Sequence, residues 1–395
     1  MSRGSRSPLQ VLIVGGGVAA LEATLALRKL AEERVEVELI APEREFTYRP
    51  LAVAEPFRVG EMRRFPLEPL VQAAGGRLRQ GRVVAVDPVR HVVTTGEGDE
   101  LPYEVLLLAL GARPLEAVPG ALTFRGPEDE AALGALLEEA IRGQARHLAF
   151  AVPGGVAWPL PLYELALLSW SYLTDRGSMG HEFALVTPEE APLALFGTAA
   201  SDGVGKLFEI RGIELQLRTT PVNFEAGTLH LAPKGCRTAD RVVALPRLEG
   251  LRVPGVPHDS QGFVPTDAYG RVTGLDNNVY AAGDLTSFPV KQGGIATQQA
   301  DAAATAIALQ AGAPVTPVPF RPVLRGQLLT GIFPRYLRAE PGTGASTVST
   351  EPLWWPPAKI VGHHLAPFLA ARLGLPEAPP PASGIPVDVT LERGP

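Results

Sequence analysis

The chain has 395 residues, 46% of them hydrophobic and 20% charged, a balance typical of a globular protein with two or three domains. Its formal net charge of -6 argues against a nucleic-acid partner. One cysteine, Cys236, excludes an internal disulfide, and no uncharged apolar run reaches the roughly 20 residues that a membrane span needs. The N-terminus has no apolar segment of the kind found in secretory signals, so we expect a cytoplasmic protein.

The first predicted element is a strand that leads into a glycine-rich turn. The run QVLIV is typical of a buried parallel strand, and the GGGVAA that follows contains the pattern G-x-G-x-x-A before an apolar helix. The stretch VEVELIAP predicts a second strand and completes a β-α-β unit. We therefore predict a dinucleotide site in which the helix N-terminus binds phosphate. The residues that we assign to it are Gly15, Gly17, Val18 and Ala19.

The acidic residue that would bind the adenosine ribose is harder to identify from the sequence. It normally ends the second strand, where this chain has Ala41 and Pro42. Glu43 and Arg44 follow at once, and we expect both to contact this part of the dinucleotide. The alternative is that Glu43 is a solvated charge in a turn.

A second signature begins at Asn278, in NVYAAGDLTSFPVKQGGIATQQADAAATAIA. It predicts a strand, a Gly-Asp pair, a loop and an alanine-rich helix. Asp284 follows a glycine at the end of the strand, so its carboxylate can approach a polyol hydroxyl closely. The helix, predicted from about Ile295, directs its positive N-terminal end at whatever lies ahead of it.

Taken together, these motifs resemble those of the FAD-dependent pyridine nucleotide-disulfide oxidoreductase superfamily. VLIVGGGVAALEA is similar to its FAD pyrophosphate loop, LLLALGARP to its A-x-G-x-x-P crossing segment, and VYAAGD to its second FAD motif. The resemblance covers about residues 8–310 and implies non-covalent FAD. It places Asp284 on the ribityl chain, and Lys291, Gln292 and Ile295 near the pyrimidine end of the flavin. Further cofactor contacts are assigned to Val84, Ala109 and Gly111.

Within the superfamily, FTYRPLAVAEPF and WPLPLYELAL are most similar to one branch. It contains sulfide:quinone reductases, flavocytochrome sulfide dehydrogenases and type II NADH dehydrogenases. The resemblance implies an α/β fold with two Rossmann-like dinucleotide-binding domains of the three-layer ββα type and a C-terminal extension. The predicted parts are a discontinuous FAD-binding domain (1–118 and 252–320), a second Rossmann-like domain (119–251) and a C-terminal region (321–395).

The turn of the second unit, in HLAFAVPGGVAWPLPLYELALL, departs from a pyrophosphate loop because its two glycines are adjacent rather than spaced. If Glu164 is the counterpart of Glu22 in the first unit, the three glycine positions are Ala157, Pro159 and Leu162. Leu162, at the third glycine position, would push the helix away from the strand. Pro159, at the second, lacks the N–H that a phosphate would bind. We therefore expect no ordinary NAD(P)H site, although Glu189 and Glu190 could still act as ribose acids.

The chemistry that remains is electron transfer between FAD and an external carrier, either a quinone or a redox protein. Disulfide reduction needs two cysteines, and Trp158 stands about where the resembled sulfide oxidases have one of theirs. One alternative is an NAD(P)H:acceptor oxidoreductase with a degenerate second loop, and another is a non-catalytic FAD-binding protein. Candidate catalytic residues are Lys291, Trp158 and Tyr163. The two aromatic side chains either flank the isoalloxazine or fill the core between the domains.

The C-terminal stretch EPLWWPPAKIVGHHLAPFLAARLGL contains Trp354 and Trp355, residue types of membrane interfaces. It either contacts the inner face of a membrane peripherally or packs on the FAD domain or on a homodimer partner. Pro356 and Pro357 prevent one continuous helix. The adjacent histidines have no partners at ligand spacing, so we predict no metal site. The tail PEAPPPASG is expected to be poorly ordered.

Overall fold

The computed structural model describes residues 7–375. Residues 1–6 and 376–395, which include most of the N-terminal segment and the proline-rich tail considered above, lie outside the described residues.

The helices, in chain order, are α1 (Val18–Ala31), α2 (Leu67–Ala73), α3 (Glu130–Ile141), α4 (Leu160–Asp175), α5 (Thr198–Ile210), α6 (Gly293–Gln310) and α7 (Leu365–Arg372). The strands are β1 (Leu9–Val14), β2 (Val35–Ala41), β3 (Glu45–Thr47), β4 (Arg64–Pro66), β5 (Arg77–Gln80), β6 (Val83–Asp87), β7 (Val92–Thr95), β8 (Glu100–Pro102), β9 (Val105–Leu108), β10 (Ala112–Leu115), β11 (Leu122–Thr123), β12 (His147–Ala151), β13 (Glu182–Val186), β14 (Ile213–Gln216), β15 (Thr220–Glu225), β16 (Thr228–Ala232), β17 (Cys236–Thr238), β18 (Arg241–Ala244), β19 (Arg247–Gly250), β20 (Val279–Ala281), β21 (Leu324–Leu328), β22 (Arg335–Glu340) and β23 (Ala345–Ser349).

The first unit is built on a parallel sheet with the strand order β20-β9-β1-β2-β5. Its central strands are apolar because both faces are covered: all four residues of β9 are buried. Helices α1 and α6 pack on one face through alanines, among them Ala23 and Ala303. The antiparallel sheet β6-β7-β8 packs on the other face, through contacts such as Leu12 with Val93. The result is three layers, ββα.

The second unit repeats this architecture. Its parallel sheet has the order β11-β18-β12-β13-β14, with α3, α4 and α5 in the same apolar core as one face of the sheet. The antiparallel sheet β15-β16-β17 covers the other face, where Ala149 and Ala151 pack with Leu229 and Leu231. These two three-layer units confirm the predicted α/β fold class with two Rossmann-like units.

The antiparallel pair β10 and β19 joins the two units where the chain passes from the first to the second and back. After α6, the antiparallel sheet β21-β22-β23 packs against α4 and α5 of the second unit, and α7 packs against α1 of the first. The C-terminal region therefore contacts both units. The domain boundaries given above remain predictions.

Within residues 7–375, the helices are too short or too polar to cross a membrane.

Candidate functional site

A cavity of about 460 Å³ lies between the two units and the C-terminal region. The parallel strands of both units end towards it, as expected for ligand sites in open α/β sheets. It is lined by side chains from all three parts of the chain, which include Arg49, Trp158, Glu164, Asp284, Lys291, Gln292, Arg325, Gln327 and Lys359. Three of the residues predicted from sequence to lie by the flavin, Asp284, Lys291 and Gln292, are therefore brought together here.

The glycine loop after β1 has the form that a dinucleotide pyrophosphate requires. Gly15 has φ +126°, and a Cβ on it would overlap the carbonyl oxygen of Ala109, so only glycine fits. Gly17 faces open space, since a Cβ there would have nothing within 4 Å. Among the described residues no side chain caps α1, whose first turn contains Val18 and Ala19. Its free N–H groups can therefore bind phosphate oxygens.

The other residues predicted to contact the cofactor lie on several elements of the first unit. The Glu43 carboxylate is exposed and approaches the loop, 3.7 Å from the position of a Cβ on Gly16. Arg44 is exposed beside it. Val84 is an exposed residue of β6 at a register shift, and Gly111, with φ +73°, borders open space at the crossing segment. The uncapped helix, the bare glycine surface and the nearby carboxylate fit FAD.

Asp284 and Lys291 both line this cavity, and each shifts the pKa of the other. Burial raises the pKa of Asp284, while the Lys291 charge and the Gln292 amide N–H oppose that rise. Burial lowers the pKa of Lys291 to about 8, against the attraction of Asp284 and Asp259. The Lys291 ammonium donates to the carbonyl of Thr286 and lies 3.7 Å from the centre of the Phe263 ring. Near neutral pH, Lys291 therefore places a positive charge in the cavity wall.

Gln292 lines the cavity and also caps α6 with its side chain. Its Oε1 accepts the N–H of Ile295 at 2.7 Å, and its Nε2 donates to the carbonyl of Arg325 at 2.7 Å. The N–H of Ile295 is thus already bound within the protein. The amides nearer the start of the helix, those of Gly293 and Gly294, belong to the part of the first turn that has no intrahelical partner. Of these residues, Gly293 lines the cavity, whereas Gly294 and Ile295 do not.

The second unit presents a stiff wall where a nucleotide loop would lie. Between β12 and α4 the chain turns at Gly155, which has φ +83°. Pro159 precedes the first residue of α4, and Pro161 occupies its first turn. Trp158 lines the cavity and packs edge-on against Phe196, with ring centres 5.6 Å apart. The helix start therefore offers fewer N–H groups than the first unit does.

Tyr163 and Glu189 are bound to each other inside the second unit. The Tyr163 side chain is fully buried, and its hydroxyl donates to Glu189 at 2.7 Å. The hydroxyl of Thr187 donates to the same oxygen at 2.9 Å. Tyr163 does not line the cavity, so the geometry favours its core alternative over contact with the isoalloxazine. Glu189 is held by these partners, which leaves the exposed Glu190 as the freer of the two predicted ribose acids.

We expect Tyr163→Phe to lower the free energy of unfolding by about 1–3 kcal/mol, because Glu189 loses a buried donor. Burial already raises the pKa of Glu189, and loss of the hydroxyl raises it further. A folded pKa above the ordinary value gives stability at low pH that is lost as pH rises, so the deficit should grow with pH. Urea unfolding over a pH series measures this. A deficit that shrinks as pH rises would contradict the assignment.

Sequence reasoning did not find the buried ion pair between Glu164 and Lys359. Their side chains are 1% and 7% exposed, and the Lys359 ammonium lies 2.6 Å from both carboxylate oxygens. The backbone N–H of Leu329 donates to the same carboxylate at 2.8 Å. A lysine inside the apolar run PPAKIVG and an acid in the apolar helix α4 were the available signals. The pair fastens the second unit to the C-terminal region.

A second cavity of about 300 Å³ adjoins the first, since Gln327 and Lys359 line both. Its other lining side chains are mostly apolar and come from residues 48–65, the end of β21 and the C-terminal segment, which we define as residues 354–375. They include Tyr48, Leu51, Phe65, Leu329, Leu365 and Leu369. This apolar cavity can accept a hydrophobic molecule, whereas the larger cavity beside it has the greater share of polar and charged lining side chains.

Cys236 is exposed on β17, in the outer antiparallel sheet of the second unit, and does not line either cavity. Within residues 7–375, no group of three or more His, Cys, Asp or Glu side chains is arranged to hold a metal ion.

Known proteins share both the sequence pattern and the fold. Residues 9–308 match the pyridine nucleotide-disulphide oxidoreductase family. Apoptosis-inducing factor 3 of Mus musculus is 26% identical over 309 residues, which cover 73% of this chain and 47% of that protein. The 5,5'-dehydrodivanillate O-demethylase ferredoxin reductase subunit of Sphingobium is 36% identical over 155 residues, 36% of each chain. This chain thus spans about half the length of the first of these relatives.

Among solved structures, the sulfide:quinone oxidoreductase of Aquifex aeolicus superimposes with a TM-score of 0.76 at 19% identity, over 87% of each chain. At that identity the likeness concerns the fold. The family match extends over most of the chain and includes both motifs that fit FAD. The chain belongs to the pyridine nucleotide-disulphide oxidoreductase family.

Proposed function

We propose that the protein passes electrons through non-covalent FAD to an external carrier, a quinone rather than a redox protein. In this proposal it uses neither a redox-active disulfide nor NAD(P)H. The observation that carries the proposal is the apolar cavity, which shares Gln327 and Lys359 with the cavity that contains the flavin-side residues. A cavity of about 300 Å³ with apolar walls suits a quinone ring better than it suits a charged carrier.

Bound FAD supplies two-electron transfer, and the chain supplies its binding and electrostatics. In this proposal Asp284 binds polyol hydroxyls of the cofactor, and the N-terminal end of α6 adds a positive potential. Lys291 holds a proton and a positive charge at the same end of the cavity. Both features favour negative charge on the cofactor, which supports a role in stabilising its reduced form.

Independence from NAD(P)H is supported by the second unit. Pro159 and Pro161 remove N–H donors at the start of α4, and Glu189 is bound to Tyr163 and Thr187. A single exposed cysteine, Cys236, likewise leaves no pair for a redox-active disulfide.

Peripheral membrane contact is part of the proposal, because the apolar cavity lies near exposed apolar side chains. Val59 and Leu375 line it and are themselves exposed. Ile332 and Phe333, in the loop after β21, are 67% and 70% exposed. Trp354 packs on Tyr336, but Trp355 beside it is exposed. Such a surface suits the interface of a bilayer that contains quinone. Flotation with vesicles tests membrane contact, and sedimentation without vesicles tests the alternative that a homodimer covers these residues.

Anaerobic mixing tests the donor and the acceptor separately. We expect NADH and NADPH to leave the flavin absorbance unchanged, and a short-chain quinone to reoxidise flavin that dithionite has reduced. Ala370→Phe fills the apolar cavity and should slow reoxidation by quinone roughly tenfold, whereas Ala371→Phe, on the exposed side of α7, should not. Rapid bleaching by NADH, or equal rates in the two variants, would contradict the proposal.

A second candidate is an NAD(P)H:acceptor oxidoreductase, favoured by Arg247. Its side chain lies 3.8 Å from the position of a Cβ on Gly155 and is exposed, so it could bind a phosphate at the second loop. The same mixing experiment decides, since this candidate requires NADH or NADPH to bleach the flavin. A flavin that exchanges electrons with none of these donors or acceptors, but that dithionite reduces, would favour a non-catalytic FAD-binding protein.

A further inference from the structure

Two buried glutamates at corresponding positions hold the C-terminal segment. Glu22 is the fifth residue of α1 and Glu164 the fifth of α4, and both side chains are fully buried. Glu164 binds the Lys359 ammonium. Glu22 accepts the backbone N–H groups of His364 at 2.9 Å and Leu365 at 2.7 Å, where α7 begins. Each Rossmann-like unit thus anchors one end of residues 359–365.

The two anchors differ in charge balance. Glu164 is neutralised by a buried cation, whereas Glu22 is bound by backbone N–H groups and has Asp301, on α6, as a charged neighbour. Asp301 in turn lies 2.9 Å from Nδ1 of His363 and 3.8 Å from Nε2 of His364. The other charged groups around this cluster are Lys29 on α1 and Arg325 on β21.

These surroundings make an ionised Glu22 costly. Burial, and then the charge of Asp301, raise the pKa of Glu22 to about 8, although the two backbone N–H groups and His363 oppose the rise. The folded pKa lies above the ordinary value, so closure of the segment over Glu22 is favoured at low pH, weakens as the pH rises from about 4.5 to about 8, and no longer changes above that. A Cβ on Gly362 would overlap the Glu22 carboxylate, which leaves little space for hydrating water while the segment is closed.

The free-energy cost of ionising Glu22 can be relieved at only one end of residues 359–365, the end at which α7 begins. Lys359 is fixed by Glu164, and Ile360 by a hydrogen bond of 2.8 Å from its N–H to the Tyr48 hydroxyl. Beyond them, α7 provides four side chains of the apolar cavity wall, which are Leu365, Ala366, Leu369 and Ala370. Water that reaches Glu22 must therefore displace the start of α7.

We propose that Glu22 is a positioning residue: when its carboxyl group ionises, it releases α7 and opens one wall of the apolar cavity, while the Glu164–Lys359 pair keeps the preceding residues in place. The consequence for the electron carrier rests on the proposed function. The movement of α7 does not, since it follows from residues of the chain alone.

Hydrogen–deuterium exchange of the FAD-loaded full-length protein, without donor or acceptor, tests the movement. Exchange rates are corrected for the intrinsic effect of pH and compared between about pH 6 and pH 9.5. In the wild type we expect exchange in residues 364–372 to rise by up to about tenfold for each pH unit below the Glu22 pKa of about 8 and to level off above it, with α3 unchanged as an internal reference. Glu22→Gln should abolish this rise.

Asp301→Asn removes the like charge beside Glu22 and should move the midpoint of the rise to lower pH. A rise that persists in Glu22→Gln, or a wild-type profile without any rise, overturns the proposal. If Glu22→Gln does not fold, Asp301→Asn decides, and an unmoved midpoint overturns the proposal. None of these results depends on whether quinone reoxidises the flavin, so failure of the proposed function would be seen separately.

Discussion

The Gly17→Ala variant is expected to unfold at the same temperature as the wild type when both lack FAD, and to bind FAD roughly 10- to 100-fold more weakly. Gly17 has φ -92°, which alanine adopts readily, and its Cβ would meet no protein atom within 4 Å. The added methyl group would point into the space that the cofactor pyrophosphate needs. Overpacking of this size costs about 1–3 kcal/mol. FAD titration followed by fluorescence, with thermal unfolding of the apoprotein, measures both quantities.

Two neighbouring variants serve as controls for this result. Gly15→Ala has a forbidden φ and a clash with the Ala109 carbonyl, so it should lose folding stability as well as FAD binding. Gly134→Ala, in the middle of α3 with open space at the Cβ, should keep both or gain slightly in stability. If Gly17→Ala bound FAD as tightly as the wild type, the pyrophosphate would not lie on this loop.

The fold and the first cofactor loop could be predicted because their signals are local. A buried strand, a turn that only glycine allows and a helix follow one another within the first β-α-β unit, and each constrains its own backbone. The Gly-Asp pair formed by Gly283 and Asp284 is a signal of the same local kind. The two-unit architecture followed from repetition of the strand–turn–helix pattern, which needs no knowledge of distant contacts.

Residue roles that depend on tertiary contacts could not be predicted from the sequence in this way. Ile295 was predicted from the position of a helix start, but its N–H is occupied by the side chain of Gln292, which the helix needs as a cap. Tyr163 follows Trp158 in an aromatic stretch, yet the helical turn between them directs Tyr163 into the core and leaves Trp158 at the cavity. Sequence spacing placed both residues near the site without fixing which atoms are available.

In the C-terminal segment, too, the sequence left open roles that tertiary contacts decide. Trp354 and Trp355 are adjacent, and sequence alone left both a packed and an interfacial role open for them. Trp354 packs on Tyr336 and donates its indole N–H to the carbonyl of Ala358 at 2.9 Å, while Trp355 stays exposed. The glutamates that hold this segment lie more than 190 residues away along the chain. Their burial was visible in the apolar helices around them, but their partners were not.

The Lys359→Met variant is expected to lose about 3–5 kcal/mol of unfolding free energy near neutral pH, because the Glu164 carboxylate stays buried without its cation. Burial raises the pKa of Glu164, and Lys359 is the main group that lowers it. Without Lys359 the folded pKa rises further above its ordinary value. Stability that such a group gives is present at low pH and lost as pH rises, so the deficit of this variant should grow with pH.

The reverse variant should show the opposite slope. In Glu164→Gln the buried Lys359 keeps its charge without a counterion, and burial lowers its pKa further below the ordinary value. A lysine with a lowered folded pKa costs most when it is charged, so this deficit should grow as pH falls. Chemical denaturation of both variants across a pH series, beside the exposed Lys206→Met as a matched control, measures the two slopes.

The double variant Lys359→Met/Glu164→Gln contains neither charge, and its deficit should be smaller than the sum of the two single deficits and independent of pH in this range. Parallel slopes in the two single variants, or additive losses in the double variant, would mean that the pair does not act as an ion pair. If the stability deficits of the two single variants change with pH in opposite directions, electrostatic attraction between Lys359 and Glu164 stabilises the wall between the two cavities. Any carrier that enters the apolar cavity then meets Lys359, whose pKa is lowered by burial against the opposing charge of Glu164.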